Sequence, residues 1–460
     1  MKLGAFETTG RGPEAEALRA CVMTIQQGAR RNYVYTNQLE EAGLLHSAVT
    51  DVSWAEDGFG MTAQLLRWIA PQLRRAVARR TVRNIPPGKL KASLLPNIVS
   101  AALPFLHQER RFAIVDAAQA FRCRLRGLGG ARVVVNYHGN GGSFLDYAKA
   151  RGAKIATDFV ITPDHLEIEQ TERARWPGWE GGDTPKHILA SYRRRMAWLL
   201  RISDLYLCPS QTVVNGLSHI PGFDAARVRL VPYGISGVLL KKPQPVTGRV
   251  LFAGAAGLRK GLPYLAEAAS ILKQRRPEIE IAVAGEATAL VRNREETRDL
   301  TFLGILGREA MAEEFARADI YCLPSLAEGS ATSIFEAMAN GLPTVTTASS
   351  GSIIEDGAEG LIVPERNGLA IADAIERIVA DRALRHAMSK AAVAAARRYD
   401  DETCGRRFIE VICELASGYV TLGAGGEGAA KDKARGTTAA RGGAPAPACG
   451  EPTTAATGRD

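Results

Sequence analysis

The second half of the chain is punctuated too regularly to fold as anything but alternating strands and helices. Short β-branched and aliphatic runs at 250–253, 279–284, 320–323, 344–347 and 360–363 alternate with helical patterns at 262–275, 309–316, 332–340 and 369–398. Strands separated by whole helices return in the same direction, so the rhythm predicts βαβ units and a parallel sheet. The first half repeats the pattern less evenly, with strands expected at 21–26, 112–116, 133–137, 154–158, 205–208 and 228–233 and a helix at 187–202. With 460 residues the chain exceeds the roughly 250–300 that one core sustains, so two doubly wound α/β lobes are expected.

Lys241, Lys242, Pro243 and Pro245 interrupt regular structure between the halves. The expected division is an N-terminal lobe at 1–235, a linker at 236–248 and a C-terminal lobe at 249–398. A C-terminal helix at 399–421 can return to the first lobe. Residues 422–460 are mostly Gly, Ala, Thr, Pro and charges, which bury too little apolar surface to offset chain entropy, so a disordered tail is expected.

A net charge of +9 favours anionic partners without choosing among phosphates, acidic lipids and nucleic acid. The seven cysteines are odd in number and contain no CxxC pair, which argues against a disulfide framework or a thiolate zinc site and for a reducing compartment. The first 18 residues lack the basic segment and apolar run of a secretory signal. The most apolar stretch, 93–106, falls short of the ~20 residues needed to cross a bilayer and is broken by Pro96 and Pro104. A soluble, cytoplasmic protein is the expectation.

Chemistry concentrates between 323 and 343. Glu328 precedes the expected helix and Glu336 lies one turn inside it, on the face of Ser333 and Asn340. Between them Gly329, Ser330, Ala331 and Thr332 are small, and amides at a helix N-terminus attract anions. A helix with capping serines and a solvated glutamate is the plainer alternative. Against it stands the context: the loop follows a buried strand at the carboxyl edge of a parallel sheet, where such sheets bind ligands. Upstream, Arg259 and Lys260 sit at the start of another helix, where cations oppose the helix dipole and call for a compensating anion.

This Glu-x7-Glu segment, continued through 341–347 and 351–364, closely resembles the signature of the retaining GT-B glycosyltransferases, glycosyl transferases group 1, and the likeness is recognisable over 228–398. The resemblance implies the GT-B fold, two Rossmann-like lobes facing a cleft. It also implies transfer of a sugar, with retention, from a nucleotide-diphosphate sugar donor to an acceptor the sequence does not specify. By the same resemblance Glu336 holds the ribose hydroxyls, Glu328 contacts the donor sugar, and Lys260 and Arg259 neutralise the diphosphate. Ala255 stands where many members carry an arginine, which leaves phosphate stabilisation to Lys260 and Arg259. The chain has no Asp-x-Asp to bridge a metal to the diphosphate, so metal independence is expected, and no cofactor is implied.

In the first half, Gly28 follows the first strand, where it suits either a tight turn or close approach of the backbone to a ligand. The resemblance makes Gly28 and Arg30 cleft candidates. Asp164 and His165 form the best acid/base-like pair, with His138 as rival. Residues 58–108 contain no acid but carry Arg67, Arg74, Arg75, Arg79, Arg80, Arg83, Lys89 and Lys91 among Leu66, Trp68, Ile69, Leu73 and Val77. That basic amphipathic pattern suits peripheral contact with an anionic inner-membrane surface or a polyanionic acceptor; a helix packed on the lobe fits it equally. The acceptor itself is expected to be a saccharide or lipid-linked. The run lacks a series of stacking aromatics, so nucleic acid is not an expected partner. Two other functions compete: a GT-B nucleotide-sugar epimerase, disfavoured by Arg-Lys-Gly together with Glu-x7-Glu, and a non-catalytic sugar-nucleotide binder, at which only Ala255 hints.

Overall fold

The computed structural model describes residues 19–28, 33–50, 54–55, 81–82, 84–92, 108–235 and 239–418. Arg30, the arginines at 67, 74, 75, 79, 80 and 83, the first 18 residues and the segment 422–460 lie outside the described residues.

The N-terminal lobe is built on strands β1 (Val22–Ile25), β2 (Leu45–Val49), β3 (Leu90–Lys91), β4 (Val133–Tyr137), β5 (Lys154–Asp158), β6 (Leu205–Cys208) and β7 (Val228–Leu230). They form a parallel sheet in the order β3-β2-β1-β4-β5-β6-β7. β1, β4 and β6 are buried along their whole length, as suits strands covered on both faces by crossover helices. The helices between these strands are α1 (Val34–Glu41), α2 (Gln108–Arg126), α3 (Ser143–Ala150), α4 (His165–Arg175), α5 (Lys186–Ile202) and α6 (Gln211–Ser218).

The expected strand at 112–116 does not form; those residues lie inside α2. Four apolar residues in a row read as a strand in isolation, but Val115, Asp116, Gln119, Ala120 and Cys123 are the buried positions, and their spacing of three to four is helical. The helix-forming Gln, Arg and Ala around the run decide the matter. Strands β2 and β3 carry no strong local signal and are stabilised by pairing with β1 and with each other.

The C-terminal lobe repeats the plan. Strands β8 (Arg249–Ala253), β9 (Glu280–Ala284), β10 (Leu300–Gly304), β11 (Ile320–Leu323), β12 (Thr344–Thr346) and β13 (Gly360–Ile362) order as β10-β9-β8-β11-β12-β13, all parallel. Helices α7 (Leu262–Arg275), α8 (Arg308–Arg317), α9 (Thr332–Ala339), α10 (Gly368–Ala380) and α11 (Arg382–Ala396) accompany them. Relative to its own first strand each sheet begins 3-2-1-4-5-6, with a seventh strand added in the N-terminal lobe, so the winding direction reverses beside β1 in one lobe and beside β8 in the other.

The lobes exchange elements. Helix α12 (Asp401–Ser417) buries Phe408, Ile409, Ile412 and Leu415 in the core of the N-terminal lobe, where Phe408 stacks on Tyr35 at 4.0 Å. In the other direction, Trp179, which follows α4, is fully buried in the core of the C-terminal lobe.

Candidate functional site

At the reversal point of the C-terminal sheet two loops leave neighbouring strands. The loop after β8 carries Arg259 and Lys260; the loop after β11 carries Glu328. Glycine lets them touch: Gly261 has φ +72° and a Cβ there would stand 2.0 Å from the Pro324 carbonyl oxygen. The amide of Leu326 donates to the Arg259 carbonyl at 2.8 Å, which locks the loops together.

Glu328 is the charge centre. Its Oε1 accepts from Lys260 Nζ at 2.8 Å and Arg259 Nη1 at 2.9 Å. Burial pushes the carboxyl pKa up, but the two cations push it down further, so it lies below the usual glutamate value and the group is ionised at neutral pH. Arg259 also donates to the Ala327 carbonyl at 2.7 Å. The two cations are therefore held facing one carboxylate.

Helix α9 starts without a side-chain cap. Ser330 is buried, and its hydroxyl has no hydrogen-bond partner among the described residues. Thr332 is exposed at the first turn. Gly329 sits against the other lobe, its carbonyl accepting from Ser210 Oγ, and a Cβ there would stand 1.9 Å from the Val160 carbonyl oxygen. The N–H of Ala331 donates to Ser350 O at 3.2 Å, which corrects the expectation that this residue offers its amide to an anion. One turn further on, burial alone raises the pKa of Glu336. Nearby, Tyr321 on β11 donates its hydroxyl to Ser333 at 2.7 Å.

Across from these residues the N-terminal lobe supplies a polar wall. Gly28, with φ +72°, lies in the bend after β1 and its carbonyl accepts from Gln26 Nε2 at 3.0 Å. The Gln27 amide donates to Asn140 Oδ1 at 3.0 Å, and the Gly141 amide donates to Asp116 Oδ1 at 2.7 Å. Burial raises the Asp116 pKa, opposed by Arg195 and by that Gly141 N–H. His138 adopts φ +48° and shares a 2.7 Å hydrogen bond with the Tyr192 hydroxyl. His165 stands edge-on to Tyr192 at 5.3 Å and donates from Nδ1 to Thr162 O at 3.0 Å. Burial lowers its pKa to about 4, helped by Arg259 and opposed by the Thr162 bond, so the ring is neutral at pH 7.

A cleft of about 670 Å³ runs between the walls, lined by Arg259 and Glu328 on one side and by Gln27, Asp116, His138, His165 and Tyr192 on the other. The fold thus brings together Glu328, Arg259 and His165 and adds Asp116, Arg195 and Tyr192, which sequence reasoning missed. Lys260 reaches the same carboxylate but, like Gly28 and Glu336, does not line this cleft. Asp164 does not pair with His165 as an acid/base couple: it stays off the cleft lining and faces Gly216. Its helix-start position could have announced that separation.

Two parallel α/β sheets of this winding, with opposed strand ends across a cleft, define a GT-B protein. The architecture matches the Anabaena HepE protein crystallised with UDP and glucose, with a TM-score of 0.56 and 16% identity over 86% of this chain and 99% of that one. The sucrose-phosphate synthase of Thermosynechococcus elongatus gives the same TM-score, identity and coverage. Within that architecture residues 242–394, in the C-terminal lobe, match the family model of the glycosyl transferases group 1. Among sequence relatives, the glycogen synthase of Mycobacterium tuberculosis is 25% identical over 259 residues, 54% of this chain and 62% of that one. The D-inositol 3-phosphate glycosyltransferase of Pseudarthrobacter chlorophenolicus is 33% identical over 240 residues, 46% of this chain and 56% of that one. The phosphatidyl-myo-inositol mannosyltransferase of Mycobacterium leprae is 28% identical over 282 residues, 58% of this chain and 69% of that one. The chain thus spans 62% and 56% of the length of the first two relatives.

Proposed function

We propose that the protein transfers a sugar, with retention, from a nucleotide-diphosphate sugar to an acceptor bound by the N-terminal lobe. The observation that carries this reading is Glu328 held by Lys260 and Arg259 in front of the uncapped start of α9, with the half-buried carboxyl of Glu336 one turn inside. Two cations at that position suit a leaving diphosphate, because charge that develops there is met by donors already in place. They can support it without a metal, and among the described residues no three His, Cys, Asp or Glu side chains converge as metal ligands. A carboxyl partly shielded from water gains more from two ribose hydroxyls than a fully solvated one, since it has less hydration to lose. His165, neutral and on the cleft wall, can hydrogen-bond the donor or acceptor without adding charge. Glu328 contacts the transferred sugar.

Thermal shift against a panel of nucleotide sugars identifies the donor, because a specific ligand stabilises by mass action. Calorimetry with that donor then tests the clamp: Glu336→Ala should weaken binding by about 1–3 kcal/mol, and turnover of the wild type should survive chelator. Unchanged affinity in the variant, or turnover that stops in chelator and returns with a divalent ion, sinks the respective part.

A lipid-linked acceptor at an anionic membrane is the more specific reading of the N-terminal lobe. It rests on α2, whose outward face exposes Phe121 by 62% and Leu125 by 72% beside the exposed Arg110, Arg124 and Arg126. That face continues the chemistry of the basic stretch at 58–108. The mannosyltransferase among the relatives is named for a phosphatidyl-inositol substrate, in keeping with such an acceptor.

A further inference from the structure

Carboxylates from the N-terminal lobe reach into the donor half. The crossover from β5 to β6 carries α4 and the turn behind it away from its own sheet. Ile168, Trp176 and the fully buried Trp179 pack on the core of the C-terminal lobe. At the end of that turn Glu180 Oε1 accepts the N–H of Leu258 at 2.7 Å, in the loop that carries Arg259 and Lys260. Gly257 makes room for it, since a Cβ there would stand 2.5 Å from the same oxygen. Glu169 places Oε1 3.6 Å from Arg259 Nε, and Arg173 lies between the two glutamates, 3.0 Å from Glu169 and 3.9 Å from Glu180. Glu172, fully buried, accepts from the Tyr264 hydroxyl on α7 and from Arg366 Nε at 2.7 Å.

We propose that Glu180, seconded by Glu169, is a positioning residue for the donor diphosphate: a carboxylate of one lobe holds the phosphate loop of the other in its binding shape. The proposal rests on the reading of Arg259 and Lys260 as diphosphate ligands. Glu180 does not line the cleft, and its charge would repel a diphosphate, so its effect passes through the loop. A backbone N–H donated to a carboxylate is a strong hydrogen bond, and a loop already ordered loses less entropy when it takes up its ligand. Glu169 keeps the Arg259 side chain from swinging wholly onto Glu328.

The test pairs hydrogen exchange of the ligand-free protein, read on a peptide covering 254–261, with calorimetric titration of UDP and of GDP. Glu180→Ala should speed exchange in that peptide and weaken the bound nucleotide about tenfold. Glu180→Gln, whose amide oxygen still accepts the Leu258 N–H, should stay near wild type in both. Unchanged exchange in β5 and β9 establishes that the variants are folded. Unchanged exchange at 254–261 or unchanged affinity in Glu180→Ala overturns the proposal, and so does tighter binding, which would make Glu180 a competitor for the loop. A wild type that binds neither nucleotide sinks the donor-site reading and this proposal with it. Failure confined to the Glu180 variants sinks this proposal alone.

Discussion

His165 shows how much a single side chain owes to its surroundings. In an unfolded chain its imidazole titrates near 6.5, whereas the folded ring stays neutral down to about 4. Between those values the unfolded state binds more protons than the native one. The contribution of this residue is therefore complete above pH 6.5 and declines as pH falls toward 4, by on the order of 1–3 kcal/mol. Denaturant unfolding at pH 7 and pH 5 should show that loss in the wild type and a smaller one in His165→Gln. Equal pH dependence in the two would place the burdened group elsewhere. The same desolvation raises Glu336, while Glu328, more deeply enclosed, is drawn down by its two cations. Residue type alone does not separate these two glutamates; their neighbours do.

Among the elements, α2 is the most informative, because its two faces do different things. The inward face, at Val115, Asp116, Gln119 and Ala120, closes the N-terminal core and brings Asp116 to the cleft. Its outward face carries the apolar and basic residues assigned to a membrane. If that assignment holds, the protein should co-sediment with vesicles containing phosphatidylserine, and added salt should release it, since each basic residue near such a surface contributes about 1 kcal/mol that screening reduces. The double variant F121S/L125S should pellet less while binding donor as before, because the donor loops belong to the other lobe. Equal pelleting of wild type and variant would remove the lipid-linked acceptor from consideration. Local reading missed this helix at 112–116 because four apolar residues have no period of their own.

At the scale of the whole molecule, the lobes are joined by more than a linker. Trp179 belongs by sequence to the first lobe and by burial to the core of the second, beneath Arg294, whose guanidinium lies 5.1 Å from its ring. Trp179→Ala should cost about 3–5 kcal/mol. Scanning calorimetry should show a lower midpoint and the lobes melting as separate transitions; a variant that melts like the wild type would mean that the tryptophan anchors nothing.

The sequence by itself determined the parallel architecture, the strands at 133–137, 154–158, 205–208 and 320–323, the helix at 262–275 and the grouping of Glu328 with the start of α9. Each of these rests on short-range information: hydrophobic period, glycine and proline punctuation, and spacing along one chain segment. Only the tertiary structure decided that Lys260 and Arg259 meet Glu328, that Asp116 and Tyr192 face them, and that Glu169, Glu172 and Glu180 grip the opposite lobe. The segment around those three glutamates alternates acids and bases and reads as a solvated helix. Its carboxylates find partners 78 to 194 positions away, Leu258 for Glu180 and Arg366 for Glu172. Contacts at that separation depend on how two sheets are wound and docked, which no local pattern encodes.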